Sequence, residues 1–311
     1  MLTFFTTCKP FRGHDGIIQR NALKSWTLLH PEIEVIVFGD EEGAAEVCAE
    51  FGLRHEPRIE RYQGKLPYIG SMFAHAQEIA RHDYLCYSNC DIIYLPSFLK
   101  AFETACDART DFLCVGRRWD VDITALLDFA KEGWDEALRT LAMTRGKKMD
   151  HYWIDFFLFR KGLYVEMPPL IVGHCYWDNW MIWRTLSLRV PVIDFSDATV
   201  PVHQNHGYSP ELGRVKGIPT DALSLRNLRL IGGIKHTRTI RAATHRISEG
   251  GRVGRNLRRY LTLISLLAVE VRRYLTYNVW LPSWHFFLRR TRRLRNALGL
   301  RSKSTAPREM G

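Results

Sequence analysis

This sequence predicts an α/β protein whose mostly parallel sheet is covered by helices on both faces. Three observations predict it. Short apolar runs alternate with stretches of helical spacing through roughly the first two hundred residues. Several runs, Glu34-Val35-Ile36-Val37-Phe38 among them, are apolar at consecutive positions, the pattern of strands buried on both sides. The chain has 311 residues, 46% of them hydrophobic and 25% charged, ample for one large core and an appendage.

Residues 2–7 read as the first strand, and Pro10 keeps the following loop out of helix. Asp15 can cap a helix to about residue 29, with Ile17, Leu23 and Trp26 among its apolar positions. The second strand, 34–38, stops at Gly39-Asp40. A helix over 42–51 ends at Gly52, and a weaker strand covers 53–56. A loop with Gly64-Lys65-Leu66-Pro67 leads into a helix over 68–81. The strand beginning at Tyr84 then breaks into Ser88-Asn89-Cys90-Asp91. A helix over 97–106 and a strand over 111–115 follow, the latter ending in Gly116-Arg117-Arg118-Trp119-Asp120-Val121-Asp122. Residues 124–144 look like a helical insertion, and 155–160 resume the sheet. Beyond Pro168, Pro169 and Gly173, Trp177-Asp178-Asn179-Trp180 leads a helix. Strand-like pieces at 190–195 and 200–208 complete the series.

The break after Ser88 is the most informative stretch. Ligands of open α/β sheets sit beyond the carboxyl ends of the strands. On extended backbone Asn89 and Asp91 point to the same side, and two oxygen donors there suit a hard divalent cation. The same residues also read as a strand ending in an Asx turn.

Charge is segregated. From residue 233 to the end there are 18 Lys and Arg against 3 acids, whereas residues 1–232 carry 26 bases and 30 acids. The apolar run over 260–269 is flanked by arginines, and Trp280, Trp284, Phe286 and Phe287 precede Arg289-Arg290-Thr291-Arg292-Arg293. This composition fits a basic amphipathic helical C-terminal tail lying on an anionic membrane surface, with disorder after about residue 301. A helical cap with solvated arginines is the alternative; nucleic acid is disfavoured because no reader motif occurs. Seven cysteines at irregular spacing form no CxxC pair, and no secretory leader is evident, so the expected setting is cytoplasmic, peripheral to the inner face of the cell membrane.

Several stretches together resemble a nucleotide-diphospho-sugar glycosyltransferase of the GT-A type, in the family 2-like superfamily. They are Phe4-Phe5-Thr6-Thr7-Cys8-Lys9-Pro10, Gln19-Arg20-Asn21-Ala22-Leu23-Lys24-Ser25-Trp26, Val37-Phe38-Gly39-Asp40, Asn89-Cys90-Asp91 and Trp177-Asp178-Asn179. The resemblance spans about residues 1–210 and implies a Rossmann-like GT-A sheet. It also implies Mn2+ or Mg2+ held by a DxD-type motif, with Asp91 as its second acid and Asn89 where the first acid often stands. A late histidine often completes the metal set, which implies His203, with His206 as the other choice. By the same resemblance Thr7, Lys9, Asp40 and Asn89 meet the donor nucleotide, and Arg117, Trp119 and Asp120 the donor sugar. Trp153, Tyr176 and Trp177 offer rings for an acceptor. Asp178 is implied as the catalytic base of an inverting reaction, or as a binder of donor or acceptor sugar in a retaining one, or stands as a helix N-cap.

The resulting expectation is a catalytic domain over 1–232, its nucleotide-binding half about 1–122 and its acceptor half about 123–232, and a membrane-associating tail over 233–311. Its activity would move a sugar from a nucleotide-diphosphate donor to a glycan or lipid-linked acceptor in cell-envelope polysaccharide synthesis. A sugar-phosphate nucleotidyltransferase is disfavoured because no Gly-rich phosphate loop follows the first strand. A non-catalytic nucleotide-sugar-binding or scaffold protein is the other alternative, since Asn89 is a neutral ligand.

Overall fold

The computed structural model describes residues 1–207, 214–215, 218–219, 221–260 and 264. In chain order, β1 (Leu2–Thr7), α1 (Gly13–Thr27), β2 (Glu34–Phe38), α2 (Ala44–Phe51) and β3 (Arg54–Glu56) form the first β/α run. The small hairpin β4 (Arg61–Tyr62) and β5 (Leu66–Pro67) precedes α3 (Ile69–Ile79), β6 (Tyr84–Ser88), β7 (Ile92–Ile93) and α4 (Ser97–Ala108). Then come β8 (Leu113–Val115), β9 (Trp119–Val121), α5 (Trp134–Arg145), β10 (Lys147–Lys148) and β11 (Phe156–Arg160). The chain continues through α6 (Trp177–Ser187), β12 (Val192–Asp194), β13 (Val202–Gln204) and the pair β14 (Arg214–Val215) and β15 (Ile218–Pro219). The last elements are α7 (Ala222–Leu230), β16 (His245–Ile247) and β17 (Val253–Arg255).

The main sheet has the order β17-β16-β12-β8-β11-β6-β1-β2-β3. Its strands run parallel except for β11, reversed between β6 and β8, and the terminal strand β17. The fold is therefore the α/β, mostly parallel sheet that the sequence predicts.

Side chains alternate along each strand and build one core per face. Leu2 and Phe4 of β1, Val35 and Val37 of β2 and Phe156 and Leu158 of β11 pack under α1, α2 and α4. Phe5, Ile36, Phe38, Phe157 and Phe159 pack under α3 and α6 on the other face. The helices match these faces. Ile69, Met72, Phe73 and Ala76 of α3, and Phe98, Ala101, Phe102 and Ala105 of α4, are buried at i, i+3, i+4, i+7 spacing. Each large side chain so buried contributes about 1.5–3 kcal/mol.

A second sheet, β10-β9-β13-β7, crosses the carboxyl edge of the first and has its own core of Ile93, Val121, Leu138, Ala142 and Val202 under α5. Several elements differ from the sequence reading. The insertion is helical only from Trp134 to Arg145, because Ala125 to Gly133 contains turns that end in a left-handed Gly133. Asp15 does not cap α1: it sits inside the first turn and pairs with Lys9. The compact unit runs past residue 232. His245–Ile247 adds in parallel to β12 and Val253–Arg255 closes the edge, so one compact unit spans Met1–Asn256. From residue 261 on, 264 apart, the expected basic tail lies outside the described residues. Among the described residues no helix is long and apolar enough to cross a membrane.

Candidate active site at the carboxyl edge of the sheet

β1 lies between β2 and β6, so the chain leaves β1 for one side of the sheet and returns on the other. That reversal opens a crevice at the carboxyl ends of β1 and β6. Thr7 ends β1, Asp40 follows β2, and Asn89-Cys90-Asp91 links β6 to β7. β6 stops at Ser88 and the chain turns through Cys90, so Asn89 and Asp91 do not share the side that continuous strand would give them. They join two different clusters.

Asp91 meets two histidines. β13 pairs antiparallel with β7, setting His203 across from Ile92, and parallel with β9, setting His203 beside Asp120. Asp91 Oδ2 lies 3.1 Å from His206 Nε2 and 3.6 Å from His203 Nε2. One ligand atom from each of Asp91, His203 and His206 falls within a span of 4.8 Å. Two hydrogen bonds fix the turn: Trp26 Nε1 donates to the Ile92 carbonyl at 2.8 Å, and the Gln204 side-chain amide donates to the Asp91 carbonyl at 3.2 Å. Burial opposes the charge on Asp91, yet the two histidines hold its carboxyl well below the usual range. Burial also opposes a charged His203, but Asp91 and Asp120 outweigh it and push the imidazole up to about 9.

Asn89 belongs to the other cluster. Because β11 runs antiparallel to β6, the residue before it, Asp155, lies beside Asn89. Asn89 Nδ2 donates to Asp155 Oδ1 at 2.8 Å, and Asn89 Oδ1 accepts from the Tyr87 hydroxyl at 3.1 Å. Both ends of the amide are engaged away from Asp91. Arg118 Nη1 also donates to Asp155 Oδ1, at 2.7 Å.

Asp178 lies in the first turn of α6 rather than at its cap, which is Tyr176 in a left-handed conformation with φ 82°. Burial first, then the Asp155 charge, raises the Asp178 carboxyl to about 7, while backbone N–H groups at the start of α6 partly oppose the rise. Tyr87 ties this region to the cation cluster. Its phenol is pushed far up by burial and by the charges of Asp91, Asp155 and Asp178 together.

The site fits a divalent cation. Asp91 Oδ1, Asp155 Oδ2, Asp178 Oδ1 and Thr7 Oγ1 are buried without a hydrogen-bond partner. Orphaned buried polar atoms are few in folded proteins, and these four gather at one edge of one sheet. An Asp with two histidines is a donor set for a first-row divalent ion such as manganese, with sites left for waters or phosphate.

The remaining predicted residues divide. A cleft of about 750 Å³ opens beside Asp40, lined also by Phe38, Arg58, Arg61, Ser71 and His75. Asp40 and Glu41 both pair with Arg61 at 2.8 Å. That turn requires Gly39 at φ 107°, where a Cβ would collide with the Glu41 carboxylate. The Lys9 ammonium is taken by Asp15 at 3.0 Å. Arg117 donates through Nε to the Met149 carbonyl at 2.5 Å, and Lys148 sits over the Trp119 ring. Trp153 lies under the Arg118 guanidinium, 4.9 Å away. Trp177 packs edge-on to Tyr87, and Tyr176 is buried in the same core.

The sequence reading did not place Tyr87, Asp155 or Gln204 in the site, and it ranked His206 behind His203. The Asn205-His206 stretch beyond β13 carried a signal, since a second histidine three residues on can turn back to the same centre.

No protein-family model matches the sequence, and no curated protein matches it. In structure the chain is similar to nucleotide-diphospho-sugar transferases. Glucosyl-3-phosphoglycerate synthase from Mycobacterium tuberculosis, in complex with Mg2+ and uridine diphosphate, shares 13% identity at a TM-score of 0.42, over 67% of this chain and 72% of that one. S. aureus TarS 1-349 in complex with UDP-GlcNAc shares 10% at 0.44, over 67% of this chain and 60% of that one. A putative nucleotide-diphospho-sugar transferase from Desulfovibrio desulfuricans G20 shares 10% at 0.37, over 62% and 78%. At these identities and scores the likeness carries no argument for donor, acceptor or chemistry in this chain.

Proposed function

We propose that this chain is a glycosyltransferase that moves a sugar from a UDP- or GDP-type donor to an acceptor hydroxyl, with inversion. The observation that carries the reading is that the carboxyl edge of one sheet carries both a fitting cation triad, Asp91, His203 and His206, and, at the start of α6, a buried carboxylate, Asp178, raised to about 7. Glycosyl transfer needs both: charge neutralisation at the departing diphosphate and a proton acceptor for the attacking hydroxyl. A bound Mn2+ or Mg2+ would supply Lewis-acid stabilisation of the diphosphate.

The protein's own residues supply the rest. The cleft beside Asp40 and Arg61 takes the nucleoside, and Thr7 Oγ1 offers a free polar atom at the end of β1. Asp178 Oδ1, buried without a partner, accepts the proton from the acceptor hydroxyl as that oxygen bonds the anomeric carbon. The Asp155 charge acts on Asp178, and Asp155 is itself held by Asn89, which accepts from the Tyr87 hydroxyl. The basic tail beyond the described residues suits an acceptor presented at an anionic membrane, a glycan or a lipid-linked sugar of cell-envelope polysaccharide synthesis.

The test is release of nucleoside diphosphate from a panel of UDP- and GDP-sugars with Mn2+. The wild type is expected to turn over at least one donor, and Asp178→Asn to lose about 10²–10⁴-fold while still binding nucleotide. Nucleotide binding by the wild type with no turnover of any donor would make the chain a nucleotide-sugar-binding protein instead.

A further inference from the structure

Arg118 is a charged side chain at 4% exposure, and burial on that scale demands partners of opposite charge. Two carboxylates serve it, Asp120 on β9 and Asp155 just before β11. Its Nε donates to Asp120 Oδ1 at 2.8 Å and its Nη1 to Asp155 Oδ1 at 2.7 Å, with the guanidinium lying over the Trp153 ring. The planar fork of an arginine can bind two carboxylates in fixed directions, which a lysine cannot.

Asp120 uses the same oxygen on His203. Its Oδ1 is 3.1 Å from His203 Nδ1, within ion-pair distance though off the line of a hydrogen bond. The parallel register of β9 and β13 sets the two residues side by side. A carboxylate on one ring nitrogen decides where the other nitrogen points, and outer partners of this kind tune cation affinity.

We propose that Arg118 is a positioning residue for the cation site. It clamps Asp120 against His203 Nδ1, which turns Nε2 toward Asp91, and it takes its own bearing from Asp155 beside the reversed strand β11. The inference rests on the cation reading of Asp91, His203 and His206, and extends it to a residue that acts through Asp120 on the ligand.

The experiment is calorimetric titration of Mn2+ alone, without nucleotide, into the full-length wild type, Arg118→Lys, Asp120→Asn and the double variant, with a thermal melt for each. The expected result is a fall of about 10–100-fold in Mn2+ affinity for each single variant. The double variant is expected to fall no further than the weaker single, because both act through one contact. If Arg118→Lys fails to fold, Arg118→Gln combined with Asp155→Asn removes both buried charges together and is expected to show the same fall. Mn2+ affinity unchanged by these Arg118 variants, or losses that multiply in the double variant, would overturn the inference. Mn2+ binding that survives Asp91→Ala unchanged would overturn the cation reading itself, a separate outcome.

Discussion

The Asp178 carboxyl sits near 7 because burial and Asp155 both disfavour its charge, and this has opposite consequences for catalysis and for stability. As a base it must be ionised, so turnover at saturating donor and Mn2+ is expected to fall about tenfold per pH unit below about 7. A flat profile from pH 5 to 8 would remove Asp178 from the base role. For folding, its pKa is raised from 3.8 to about 7, so between those values the folded state holds a proton that the unfolded state has lost. The stability contributed by the neutral acid is full below about pH 4 and is lost as pH rises toward about 7. Each pKa unit is worth about 1.4 kcal/mol, so Asp178→Asn is expected to be the more stable protein at pH 8 by a few kcal/mol. Urea denaturation at pH 5 and pH 8 checks it; the gap between variant and wild type must widen with pH. The pairing of Arg118 with Asp155 was not legible at this scale. They meet through the pairing of a reversed strand, and nothing in the local sequence marks β11 as antiparallel.

Among elements, the small sheet β10-β9-β13-β7 turns a strand end into a site, because its registers bring Asp91, Asp120 and His203 together from three distant segments. The main strands and helices were legible, since consecutive apolar runs and i, i+3, i+4, i+7 spacing survive folding unchanged. An Asx turn was one reading of this stretch, but two-residue strands such as β7 carry no pattern, so the separation of Asn89 from Asp91 could not be read. Trp177 looked like a ring for an acceptor because a sequence does not say which face of α6 meets the sheet. A cap gives a cleaner test of element stability. Asp221 accepts from the Ser224 N–H at the start of α7 and also pairs with His174 at 2.9 Å. Asp221→Ala is expected to cost at least about 1–2 kcal/mol, measured by urea denaturation, while leaving Mn2+ affinity unchanged. An unchanged denaturation midpoint would mean that α7 does not depend on its cap.

At the scale of the molecule, charge separates where the fold does. The excess of arginine was read as a tail from residue 233, but 233–256 belongs to the compact unit Met1–Asn256, with Asn256 buried and its Nδ2 donating to the Ala243 carbonyl. Residues 245–247 are too short a run to announce a strand, and the arginines around them suggested a solvated segment. The boundary matters for experiments, since a truncation near residue 250 would strip β17 from the sheet. A chain ending at Asn256 is expected to keep the wild-type melting temperature and nucleotide binding but to lose sedimentation with anionic liposomes. Equal sedimentation of both forms would remove the tail from membrane binding.

The central claim is that Asp91 anchors a cation that holds a nucleoside diphosphate at this crevice. The most direct measurement is calorimetric titration of UDP and GDP, with and without Mn2+, into the wild type and Asp91→Ala. Binding of one nucleotide that depends on Mn2+ and disappears in Asp91→Ala is the predicted result. Tight binding indifferent to both Mn2+ and Asp91 would contradict it, and would move the diphosphate onto basic side chains such as Lys9 or Arg117.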